Sequence, residues 1–67
     1  MKTLGDALPD EIQRVTDLIP IYVSCGPVAG IALAMMRASL DRATRALANG
    51  DLAEMMECYV DLKGYSA

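Results

Sequence analysis

Leu18 to Met36 reads LIPIYVSCGPVAGIALAMM, nineteen consecutive residues without a formal charge in a chain of 67. An apolar helix of that length crosses a bilayer, so two architectures compete for the segment. Either it spans lipid, or it is the interior of a very small helical protein that completes its core with a partner. Gly26-x-x-x-Gly30 suits the first, because small residues four apart let transmembrane helices approach closely. Pro20 and Gly26-Pro27 oppose it. They break the helix in the first half of the segment, and lipid offers the freed backbone groups no water. The flanks oppose it too, with Asp17 before, Arg37 after, and no aromatic belt or basic cluster on either side. The expectation is a helical protein that does not span a membrane.

Outward from this segment, three helices account for the chain. Leu8-Pro9-Asp10-Glu11 predicts a helix start, since proline is tolerated at the first position and the two acids suit the positive end of the helix dipole. Ile12, Val15, Leu18 or Ile19, and Tyr22 then share a face, and Pro20 predicts a kink or stop. After the break at Gly26-Pro27 comes the main helix, over 27–48. Leu33, Met36, Leu40, Ala43 and Leu47 follow the alternating three-four spacing of a coiled-coil seam. A second line of small residues, Gly26, Gly30, Ala34 and Ala38, gives the same helix another face for close packing. Asn49-Gly50 predicts a left-handed C-cap, and Asp51-x-x-Glu54 a capping box that opens the third helix, over 51–63. Leu52, Met55 or Met56, Tyr59 and Leu62 form its apolar stripe, and Lys63-Gly64 ends it. A loop of about three residues makes the second and third helices antiparallel neighbours. Arg37, Arg42 and Arg45 on one then oppose Glu54, Glu57 and Asp61 on the other. Pairs of this exposed kind set orientation more than stability.

One domain of this size buries only about 60% of its unfolded surface and usually needs a staple. Metal is a poor one here: there is no histidine, and Cys25 and Cys58 lie far apart with no C-x-x-C pair. A Cys25–Cys58 disulfide is possible by count, but no export signal is visible. Lys2 is followed by Gly5, Asp6 and Pro9 rather than an apolar run. A cytoplasmic location and reduced thiols are expected, which leaves self-association as the staple. The interface falls on Gly30, Leu33, Ala34, Met36, Leu40 and Leu47. The fold class expected is therefore all-α: a helical hairpin plus an N-terminal helix near 9–24, one domain over 1–67, with its core completed by homo-oligomerisation.

The chain has nine acids against six bases, a net charge of −3, and its aromatics are Tyr22, Tyr59 and Tyr65. It offers neither the basic face nor the stacking platform of a nucleic-acid binder. Cys25 precedes a helix N-terminus, where a thiol can be activated, yet no histidine is present to act as its base. Both cysteines read as small apolar filler. Met35-Met36 and Met55-Met56 read as core filler or as an adaptable binding surface. Arg37, Arg42 and Arg45, with Tyr22 and Tyr59 to stack, could hold a small anionic ligand; the plainer reading is a solvated face paired with the third helix. Asp10-Glu11 are adjacent and do not face one another on a helix, so they make no acid–base pair. With no phosphate loop, metal set or triad, the sequence predicts no enzyme and no cofactor.

Leu8-Pro9, Ile19-Pro20 with Tyr22, Gly26-Pro27, Met35-Met36, Leu47 with Gly50-Asp51, Met55, Tyr59 and Leu62-Lys63-Gly64-Tyr65 together form a pattern. It resembles small helical proteins carried by temperate, Mu-like phages and prophages, over most of the chain. The resemblance implies an accessory role in the host cytoplasm, in which the protein binds and neutralises a host component such as a defence complex or a regulator. It assigns no functional residues. The negative charge suits a basic host protein, with Glu54, Glu57 and Asp61 as the contacting surface. The alternative is an oligomeric sponge that sequesters a signalling nucleotide or similar anion between subunits.

Overall fold

Thr3 and Asp6 start the first helix. The Asp6 carboxylate accepts from the Thr3 hydroxyl at 3.0 Å and faces its backbone N–H at 3.5 Å. The Ala7 N–H meanwhile reaches the Thr3 carbonyl at 2.8 Å. This reciprocal capping satisfies donors that a helix start leaves unpaired. α1 accordingly runs Leu4–Ser24, beginning five residues before Pro9 and passing through both Pro9 and Pro20. The expected start near residue 9 is thereby corrected, and of the kink or stop expected at Pro20 the stop does not occur. The two prolines stand eleven residues apart, about three turns, so both lie on one exposed face. The carbonyls they deprive of a donor belong to Gly5 and Thr16, which are also exposed and can turn to water.

The computed structural model describes residues 3–66, and α1 is followed by a three-residue 3-10 turn, Pro27–Ala29, then α2 (Gly30–Asn49) and α3 (Leu52–Lys63). Gly26 sits in the connection with φ +86°, a conformation that only glycine adopts without strain, so it lies outside the helical line expected to contain it. Gly50 takes the left-handed conformation expected of it, φ +68°. The Gly50 and Asp51 amides bond back to Leu47 at 3.2 Å and Ala46 at 3.3 Å, a Schellman ending. Asp51 then accepts from the Glu54 amide at 3.2 Å and opens α3. The other half of the capping box does not form, because the Glu54 side chain is drawn to Arg42 instead.

All three helices pack on one another over a core of Leu8 and Val15 from α1, Met36, Ala43 and Ala46 from α2, and Met55, Cys58 and Leu62 from α3. The seam on α2 is therefore used within the chain. Met36 is completely buried, and Leu40 and Leu47 pack against the same core. Met36 is corrected from an interface residue to an internal one, because two neighbouring helices of the same chain already occupy that side, while Leu40 and Leu47 stay half-buried. The stripe on α3 is likewise rotated: Cys58 enters the core, whereas Leu52 stays 69% exposed. Adjacent helix positions point about 100° apart, so each methionine pair is split. Met36 and Met55 are buried; Met35 and Met56 face out. Among the described residues no helix is long and apolar enough to cross a membrane.

Candidate functional site

α3 has 12 residues against 21 in α1 and 20 in α2, and that inequality organises the surface. At about 1.5 Å per residue α3 is roughly 18 Å long, while its neighbours reach about 30 Å. Its C-terminus stops level with the middle of both. Arg14 of α1 donates to the Leu62 and Tyr65 carbonyls, each at 2.8 Å, while its Nε and Nη2 hold Glu11 at 3.1 and 3.0 Å. A cation placed on the last carbonyls of a helix complements the negative end of its dipole. From there the tail climbs alongside α1 and α2. The Tyr65 hydroxyl meets that of Ser39 at 3.1 Å, and the Tyr22 hydroxyl donates to the Ser66 carbonyl. Tyr22 is thus a tether for the tail rather than a free stacking surface, and Tyr59 carries Lys63 over its ring at 5.2 Å.

The opposite end, where α2 hands over to α3, holds a cleft of about 420 Å³ lined by Asp41, Arg42, Arg45, Asn49, Asp51 and Glu54 among others. Arg42 bridges the helices, with Nε on Glu54 and Nη2 on Glu57 at 2.8 Å. The hydrogen bond to Glu54 is the main reason its pKa is held above the ordinary arginine value. Arg45 turns to Asp41 one turn back along its own helix. Of the three arginines expected to gather a ligand, two are thus matched to carboxylates of this chain. Arg37 is exposed on α2 and does not line the cleft. Three carboxylates against two guanidiniums make the cleft a poor magnet for an anion. Glu54 and Glu57 share Arg42, and Asp61 is exposed one turn beyond Glu57. Among the described residues no group of three or more carboxylate or thiol side chains could hold a metal ion.

Cys58 is buried, and desolvation pushes its thiol pKa up, so it is inert filler as expected. Cys25 is exposed at the α1–α2 connection, which corrects the reading of it as filler. Oligomer-interface candidates Gly30 and Ala34 are exposed, and Leu33 is half-buried.

Two apolar surfaces carry most of the uncovered large side chains. One is the outer face of α3, where Leu52, Met56 and Val60 recur every fourth residue, with Glu57 and Asp61 along one edge. The other lies about the α1–α2 connection: Ile21, then Val28 at 91% and Ile31 at 80% exposure, then Met35, with exposed Val23 on the opposite side of α1. The chain matches no protein-family profile, no curated protein and no solved structure. Chemistry must therefore be read from these surfaces and the cleft alone. Arg14 escaped the sequence reading, although a lone arginine beside Ile12 and Val15 on a core-facing helix was a signal that it binds something within the chain. Leu52-x-x-x-Met56-x-x-x-Val60 was legible as a helical stripe, but it competed with an inward stripe in the same helix.

Proposed function

We propose that this is a small accessory protein, of the kind temperate phages carry, that acts by stoichiometric binding to a host protein and not by catalysis. The observation that supports this is the outer face of α3, an apolar stripe edged with acid. Leu52, Met56 and Val60 supply area whose removal from water drives association. Asp61 supplies a sign, favouring a partner with a basic rim, while Glu57 beside it is shared with Arg42. Unbranched Met56 adapts to irregular partner surfaces. The cleft beside Arg42 and Arg45 supports sequestration of an anion less well, because both arginines are already answered by carboxylates.

The test is a capture from host lysate with wild-type protein and with Met56→Glu and Asp61→Lys variants, followed by calorimetry against the purified captured protein. The expected result is a fixed molar ratio, binding abolished by Met56→Glu, and association slowed several-fold by Asp61→Lys. A thermal shift with a nucleotide panel that Arg42→Ala abolishes would overturn this reading and favour the sponge. So would capture unaffected by either variant on α3.

A further inference from the structure

The short third helix leaves one end of the molecule two helices thick. On α2 the residues turned toward α3 recur along one side, from Ala46 through Arg42 and Ser39, and the same line continues through Met35 and Ile31, with Val28 in the 3-10 turn just before the helix. Ser39 meets Tyr65, the last tyrosine of the tail. Beyond it the line runs uncovered, and Met35, Ile31 and Val28 are each more than half exposed. On α1, stepping from Arg14 by helical intervals gives Leu18 and Ile21, and Ile21 is again about half exposed. These side chains lie where a longer third helix would pack.

We infer that a second copy of this chain covers this end, each copy's α1–α2 hairpin packing on the other's to form a local four-helix arrangement. Two-helix layers bury their apolar sides by pairing with another such layer. A two-fold partnership places the same patch against itself. That is hazardous for a chain of net charge −3 unless the patch is uncharged, and this one lies within Leu18–Met36, where no formal charge occurs. A standard interface takes about 800 Å² from each partner, less than a fifth of the 4362 Å² surface of one chain. The four large side chains at 21, 28, 31 and 35 make up the centre of such an area, with Val23 on the other side of α1 outside it. The interface expected from sequence is thereby moved off Met36, Leu40 and Leu47 and onto the adjoining side of α2. The outer face of α3 stays clear, so the pairing does not depend on the function proposed above.

Sedimentation equilibrium of the whole chain at tens of micromolar should give twice the 7.2 kDa monomer mass. The Ile31→Glu variant, altered at a site 80% exposed in the monomer, should return the mass to one chain while keeping its helical circular dichroism. Cys25 lies at this end, and buried Cys58 does not compete for reagent. A short bismaleimide should therefore crosslink wild-type copies, and crosslinking should fall at least tenfold in Ile31→Glu. Met56→Glu, on the outer face of α3, should leave mass and crosslinking unchanged. A wild-type monomer across this range would overturn the inference, as would a dimer that survives Ile31→Glu and Met35→Glu but is lost with Met56→Glu.

Discussion

Where α2 meets α3, three helices lie side by side and the charged side chains meet opposites in the same chain: Arg42 holds Glu54 and Glu57, and Arg45 holds Asp41. Where α1 meets α2, only two helices remain, and Val28, Ile31 and Met35 face outward, uncovered by the other described residues. One end is finished electrostatically and the other is unfinished hydrophobically. The difference comes from the length of one element, since α3 stops at Lys63, level with Arg14 and Ser39. A polar group can be satisfied by a single well-placed neighbour or by water, but an apolar one needs area. A helix some eight residues short therefore leaves little polar deficit and a large apolar one.

The contrast breaks most sharply in the shared core. Leu62→Ala removes a fully buried side chain on which all three helices depend, and should cost about 2–5 kcal/mol by urea unfolding. Ile31→Ala, examined at concentrations where the chain is monomeric, should stay within about 0.5 kcal/mol. Comparable losses at the two sites would mean that the end near Ile31 is covered within one chain after all.

Next in size is the boundary between the ends. Arg14→Met keeps the apolar stem and removes the donors that hold the Leu62 and Tyr65 carbonyls. A loss of about 1 kcal/mol is expected for these partly solvated, charge-assisted bonds. Amide exchange over 62–66 should accelerate while that of the α2 core stays slow. Unchanged exchange in the tail would show that Tyr22 and Ser39 suffice to hold it.

The thiols sharpen the same comparison. Ellman's reagent should modify Cys25 rapidly and Cys58 only as the chain opens, giving two phases well over tenfold apart. Burial raises the Cys58 pKa in the folded chain above its ordinary value of 9.0. The contribution of the neutral thiol to stability is then full below about pH 9 and declines as pH rises through the folded value. A chemical-denaturation midpoint that rises between pH 8 and 10 would contradict this, as would one that stays level there in wild type but not in Cys58→Ala.

The smallest effect belongs to the charged end. Arg42→Gln should lower the melting temperature slightly, and about 1 M salt should erase most of the difference by screening exposed charges. A large loss insensitive to salt would mean that Arg42 holds the junction by packing.

Much of the fold was legible because it is written in local chemistry. Gly50 and Asp51 state where α2 stops and α3 starts, and both act as their residue types suggest. The three-four spacing on α2 correctly marked a buried seam. What the spacing leaves open is whose helix fills it, since an internal neighbour and a second copy impose the same period. Pro9 and Pro20 misled for a related reason: their penalty depends on whether the orphaned carbonyl can reach water, which is a property of the packed molecule. Arg14 was illegible because the carbonyls it serves lie 48 and 51 residues away.

The Tyr22–Ser66 contact has a practical corollary. Because the tail is held against the last turn of α1, trimming the chain before Tyr65 removes the Ser39 and Tyr22 anchors together, and with them one of the two carbonyls that Arg14 serves. A shortened chain is therefore not a neutral variant of this protein.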